Sequence, residues 1–171
     1  MHFFVANRFS VCYDYIENIL CDIYKENKMD KQFDAIMSMS DDAKVAYLQA
    51  FARLASSDGN FDDNEKAFIK DLAENYVLPN NRLDEVFSID NDEQIIANVS
   101  QIKNRRAALE LIKELCYLAH ADDELSDSET LFIGKVGQAM NVELEKIEQI
   151  SNWVIDKIIL AEEAKIIFEE V

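Results

Sequence analysis

The chain has 171 residues, 49% of them hydrophobic, and sets 34 acidic side chains against 17 basic ones for a formal charge of -17. That length suits one domain with a sizeable core, and the apolar content excludes a disordered acidic tail. The negative field repels nucleic-acid phosphates and anionic lipid headgroups, so nucleic acid is excluded and cations or basic proteins are the partners it favours.

Three Gly and one Pro leave few turns, which points to an all-α single-domain bundle with short connections, spanning residues 1–171. The opening MHFFVANRF has too short an apolar run for a signal peptide, and no segment approaches a membrane span. The chain therefore reads as cytoplasmic, with no membrane insertion. Residues 9–27 predict a first helix with Val11, Tyr15, Ile19 and Ile23 along one face, and a shorter one covers 31–39. Ser40 or Asp41 caps a strong helix running to about residue 57, with Val45, Leu48, Ala52 and Ala55 on its inner face. Another starts after Asp62 and ends near Pro79, which cannot continue it. Short helices follow at 81–88 and 91–101, then 104–121, 126–140 and 143–159, and 162–170 closes the chain. Eight or nine of these segments are expected as separate helices, with no sheet. Cys12, Cys21 and Cys116 are odd in number and lack metal or redox spacing, so they read as free thiols in a reducing compartment.

The stretch "LASSDGNFDDNEKAFI" (54–69) returns 64 residues later as "LAHADDELSDSETLFI" (118–133). Aligned without gaps over 54–76 and 118–140, seven positions are identical: Leu54/Leu118, Ala55/Ala119, Asp58/Asp122, Asp63/Asp127, Glu65/Glu129, Phe68/Phe132 and Ile69/Ile133. Chance pairing gives fewer, so the spacing predicts an internal repeat of helix, acidic corner, helix, packed about a pseudo-twofold axis. Leu54, Leu118, Phe68, Phe132, Ile69 and Ile133 are then expected in equivalent buried places.

The acidic corner has two chemical readings. An EF-hand is excluded, because the leading carboxylates of its loop are replaced by Leu54 and Ser56, and by Leu118 and His120 in the second copy. Capping accounts for part of the acid: Asp62 and Ser126 are N-caps, Glu65 and Glu129 fall three residues later, and Asp63 and Asp127 sit in the first helical turn. Asp58 and Asp122 are not explained so, since they follow the end of a helix where the dipole disfavours a carboxylate. An Asx-turn could offset that. So could a divalent cation held by Asp58, Asp62 and Glu65 in one corner and Asp122, Asp127 and Glu129 in the other. Hard oxygen ligands favour calcium or magnesium, and His120 leaves zinc open.

The pattern of Asp58, Gly59, Phe61 and Glu65 between two helices resembles the acidic corner of the tellurite-resistance TerB-like domains, and Asp122, Leu125 and Glu129 fit its weaker half. The resemblance covers about residues 40–145, with flanking helices at 9–27 and 143–170. It implies an all-helical fold of two similar halves, an association with tellurite and other stress responses, and a divalent-cation site on the acidic residues. It assigns no enzymatic reaction. Asp123 stands where the pattern has glycine.

The two histidines, His2 and His120, lie in no metal-enzyme spacing, and no glycine loop cradles a phosphate. The sequence therefore predicts a non-enzymatic protein. Besides cation binding, an acidic helical protein-interaction module, co-chaperone-like or an adaptor, fits the same features, with purely structural acidic caps. Its terminal helices, 9–27 and "IILAEEAKIIFEEV", could pack on the domain or dock a copy of it as a homo-oligomer, and its acidic surface suits a basic partner.

Overall fold

The computed structural model describes residues 34–55, 63–88, 91–120 and 126–168; the side chains of Asn64 and Glu65 fall outside that description. After a helical turn at residues 34–37, the described elements are α1 (Asp41–Ala55), α2 (Asp63–Asn75), a 3-10 turn (Asn80–Arg82), α3 (Leu83–Phe87), α4 (Asp92–Val99), α5 (Arg105–Ala119), α6 (Asp127–Ala139) and α7 (Leu144–Ile167). No strand occurs among the described residues, so the all-α expectation holds. The predicted helix 9–27 lies outside them.

α1 is the hub. It packs against α2, α3, α4 and α5, while α5 also holds α6 and α7, and α4 reaches across to α6. Alanines at 43, 46, 50, 52 and 55, all buried, let neighbours approach from every side. Tyr47, Leu48 and Phe51 fill the remaining space at 1% exposure or less, each contributing about 1.5–3 kcal/mol. Two polar side chains of α1 bond to neighbouring helices. Gln49 donates from Nε2 to the Glu85 carbonyl (2.8 Å) and accepts from Asn98 Nδ2 (3.0 Å), which ties α1 to α3 and α4. Arg53 donates to Asp92 Oδ1 at 2.6 Å and lies over the Phe132 ring, 5.8 Å from its centroid.

The helix bounds repeat at the spacing read from the sequence. α1 and α5 are each 15 residues and start 64 apart; α2 and α6 are each 13 residues and start 64 apart. Ser40 Oγ accepts from the Ala43 amide (3.3 Å), and Asn104 Oδ1 accepts from the Arg106 and Ala107 amides (2.9 and 3.3 Å). α2 and α6 also end alike. Val77 (φ 53°) and Asn141 (φ 58°) take the left-handed conformation. Leu78 N–H then returns to Ala73 O (2.9 Å) and Val142 N–H to Gly137 O (2.8 Å), a Schellman closure in both cases. The six residues expected in equivalent buried places are all buried, from 0% to 7% exposed. After these closures the halves diverge: the first continues into short helices, the second into α7. α4 packs on α6, whereas α7 packs on α5 and α6, so the contacts of the two halves do not interchange.

Two expected boundaries are corrected. α2 stops at Asn75 rather than running to Pro79, because the chain turns at Val77 and Leu78 is barred from helix by the proline that follows it. The separate helices expected at 143–159 and 162–170 are one helix of 24 residues. No Gly or Pro lies between Gly137 and the chain end, and Leu160 to Ala164 are all strong helix formers.

The two glycines of α6 make a paired test. A Cβ on Gly137 would come within 2.4 Å of Ile147 Cδ1, 3.0 Å of Ile147 Cγ1 and 3.3 Å of Ile112 Cδ1, while one on Gly134 meets nothing within 4 Å. Gly134→Ala is expected to stabilise the fold by about 0.5–1 kcal/mol through helix propensity. Gly137→Ala, which crowds the α6–α7 contact, should destabilise it by about 1–2 kcal/mol. Urea melts of both variants check the opposite signs.

Candidate functional site

Of the second acidic corner the two flanks are described, the end of α5 through His120 and the start of α6 from Ser126. His120 caps the end of α5, its N–H returning to Cys116 O. Its Nε2 is 3.4 Å from Ser151 Oγ on α7, at the long end of hydrogen bonding. Burial pulls the His120 pKa below the ordinary histidine value, and the Glu129 charge pulls partly back. Cys116, one turn earlier, is 2% exposed. Burial pushes its thiol up to about 12, against a smaller opposing effect of a hydrogen bond with Ser151. A thiol held that far above neutrality is not a thiolate nucleophile.

Across the corner, Ser126 opens α6 with a capping box. Its Oγ accepts from the Glu129 amide (3.2 Å), and Glu129 Oε2 accepts from both the amide (3.0 Å) and the hydroxyl (2.8 Å) of Ser126. The Glu129 carboxylate is thereby held against the positive end of α6, where the helix dipole favours it. Asp127 is exposed in the same first turn.

Of the six candidate ligands, Asp58 and Asp62 fall in residues 56–62 and Asp122 in 121–125, outside the described residues. Glu65 lies in the first turn of α2 by its backbone. Asp127 and Glu129 are thus the two whose side chains are described. Among the described residues, no three His, Cys, Asp or Glu side chains form a group that could hold a metal ion.

A second polar cluster escaped the sequence reading. Glu110, 4% exposed on α5, is paired with Arg106 and with Lys113. One turn on, Glu114 accepts from Tyr47 Oη at 2.7 Å, and the Tyr76 hydroxyl also bonds to it. The Tyr47 and Tyr76 rings stand edge to face, 5.7 Å apart. Burial raises the Glu114 pKa, partly opposed by Lys113 and the tyrosine hydroxyls. The local signal was the i+4 spacing of Arg106 to Glu110 and the i+3 spacing of Glu110 to Lys113. The cluster clamps α5 to α1 and to the end of α2, and holds charge inside the bundle by pairing it.

Compared with known proteins, the chain matches no family model, no curated protein and no solved structure. The TerB-like resemblance accordingly stands on the residues of the two corners. Among the described residues no helix is long and apolar enough to cross a membrane.

His120 gives the corner a readable titration. A histidine whose folded pKa is lowered contributes stability that is present above the ordinary histidine value and is lost as pH falls through it. Proton NMR should place the His120 midpoint below that of unfolded chain. Glu129→Gln, which keeps an N3 acceptor for Ser126 but removes the charge, should lower it further. An unchanged midpoint in the variant would show that Glu129 does not act on the ring.

Proposed function

We propose that the protein is a non-enzymatic, TerB-like helical binding module that meets a basic protein partner through its acidic surface, with its acidic corners serving as helix caps. The single observation behind this reading is the Ser126–Glu129 capping box, which engages Glu129, one of the candidate ligands of the second corner. The charge of -17 supplies the attraction, and it acts chiefly on the rate of encounter. A cytoplasmic setting and a role in tellurite or other stress response come with the resemblance and belong to this proposal.

A second reading has an observation of its own. The acidic corners join helices of identical length at identical spacing, and each carries an aspartate, Asp58 or Asp122, that capping does not use. In that reading the two corners are equivalent divalent-cation sites related by a pseudo-twofold axis, with Asp58 and Asp122 as the lead ligands, Asp62, Glu65, Asp127 and Glu129 around them, and calcium or magnesium preferred over zinc.

Two measurements separate the readings. The protein immobilised as bait should retain basic proteins at low salt and release them as sodium chloride rises from about 0.05 to 0.5 M, where the screening length falls severalfold. Retention of acidic proteins, or retention indifferent to salt, counts against the first reading. Thermal melts at matched ionic strength should be the same with calcium, magnesium, zinc or chelator. Under the second reading a saturating ion adds about 2.7 kcal/mol at a hundredfold excess over Kd, and Asp58→Asn removes the shift at that corner.

A further inference from the structure

α7 outlasts the helices that it packs on. His120 at the end of α5 is level with Ser151. α6 returns antiparallel through the closure at Asn141 and Val142, which sets its first residue beside about the twelfth residue of α7. Ile158 is the last large α7 side chain packed on the core. Residues 159–168 extend about 15 Å farther, and there Ile159, Leu160, Ile166, Ile167 and Phe168 are 51% to 77% exposed. At 100° per residue these side chains, with Ala161 and Ala164, surround most of the helix, and Glu162, Glu163 and Lys165 are the polar positions between them. A helix apolar round most of its circumference is normally covered.

Two occupants have the right chemistry. A second copy brings a charge of -17 against another of -17, and burying about 15 Å of helix must overcome that repulsion. The segment preceding Asp34 does not carry this penalty. It holds four basic side chains (Arg8, Lys25, Lys28 and Lys31) against five acidic ones (Asp14, Glu17, Asp22, Glu26 and Asp30), for a net charge of -1. Cys12, Ile16, Ile19 and Ile23 recur at i, i+4, i+7 and i+11, one apolar stripe on a helix of residues 9–27. Residues 28–33 join this segment to Asp34 and can span up to about 20 Å, so its docking is intramolecular and independent of protein concentration.

We propose that residues 9–27 dock as an amphipathic helix, by the Cys12–Ile16–Ile19–Ile23 stripe, on the apolar end of α7 in the same chain. The segment contains its own reporters. Cys21 lies nine residues from Cys12, half a turn round the helix, so docking covers Cys12 and leaves Cys21 open. Cys116 is buried and its thiol held protonated, so it reacts slowly and does not confuse the signal.

The test is maleimide labelling of the whole native chain, read residue by residue by mass spectrometry, with each rate divided by that of the same cysteine in urea. Cys12 is expected to react at least about tenfold more slowly than Cys21. In an Ile159→Asp, Ile166→Asp double variant the two should react alike. Both positions are exposed, so the fold survives the change, and circular dichroism checks that it does. Equal rates in the unaltered protein would overturn the proposal, as would Cys12 protection that persists in the variant. Protection that fades on dilution, with a dimer in light scattering, would overturn it in favour of a second copy.

Discussion

The burial of α1 is the constraint on which the rest of the molecule depends. Of its fifteen residues, all but Asp41, Asp42 and Arg53 are buried, so every neighbouring helix must be placed to cover one of its sides. Small side chains set how closely they come, and the Gln49 amide and the Arg53 guanidinium fix which carbonyl and which carboxylate they must bring with them. α5 stands beside α1 and is nearly as buried. Its own polar residues, Glu110 and Glu114, are answered by Arg106, Lys113 and Tyr47. With both central helices enclosed, what remains for function is the surface: the corners at the helix ends and the far end of α7.

Much of this was legible locally. Ser40, Asn104 and Ser126 each stand at the start of a helix with an acceptor oxygen in reach of the first-turn amides, and caps are written in short-range sequence. The 64-residue spacing placed the starts of the paired helices to within a residue but not their ends, since α2 stops at Asn75 and not at Pro79. The misreadings have particular physical sources. Val77 closes α2 in a conformation that a β-branched residue rarely adopts, so Pro79, two residues on, looked like the stop. A helix break near residue 160 was expected where no residue breaks helices. The inward place of Glu114 has no local signal, because its partner Tyr47 is 67 residues away, and His120 meets Ser151 across 31. Such long-range pairs leave no local trace.

The acidic corner shows how one residue pattern serves two chemistries. A carboxylate three residues into a helix is stabilised by the dipole and by the cap whether or not a cation is near. The same oxygen atoms are hard ligands when a cation is present. In the second corner the hydrogen bonds of Ser126 already occupy Oε2 of Glu129, so a cation bound through that oxygen would compete with the start of α6. That competition is why the proposed function treats the corner as structural and rests on the charge of the whole surface.

The claim that Glu129 serves the helix start is tested most directly by a double-mutant cycle on Ser126 and Glu129. Urea unfolding of the parent, Ser126→Ala, Glu129→Ala and the pair isolates their interaction. In chelator the account predicts a coupling of about 0.5–1 kcal/mol, unchanged when calcium, magnesium or zinc is added. A coupling near zero in chelator, or one that emerges only with an ion, would contradict it and return the corner to metal.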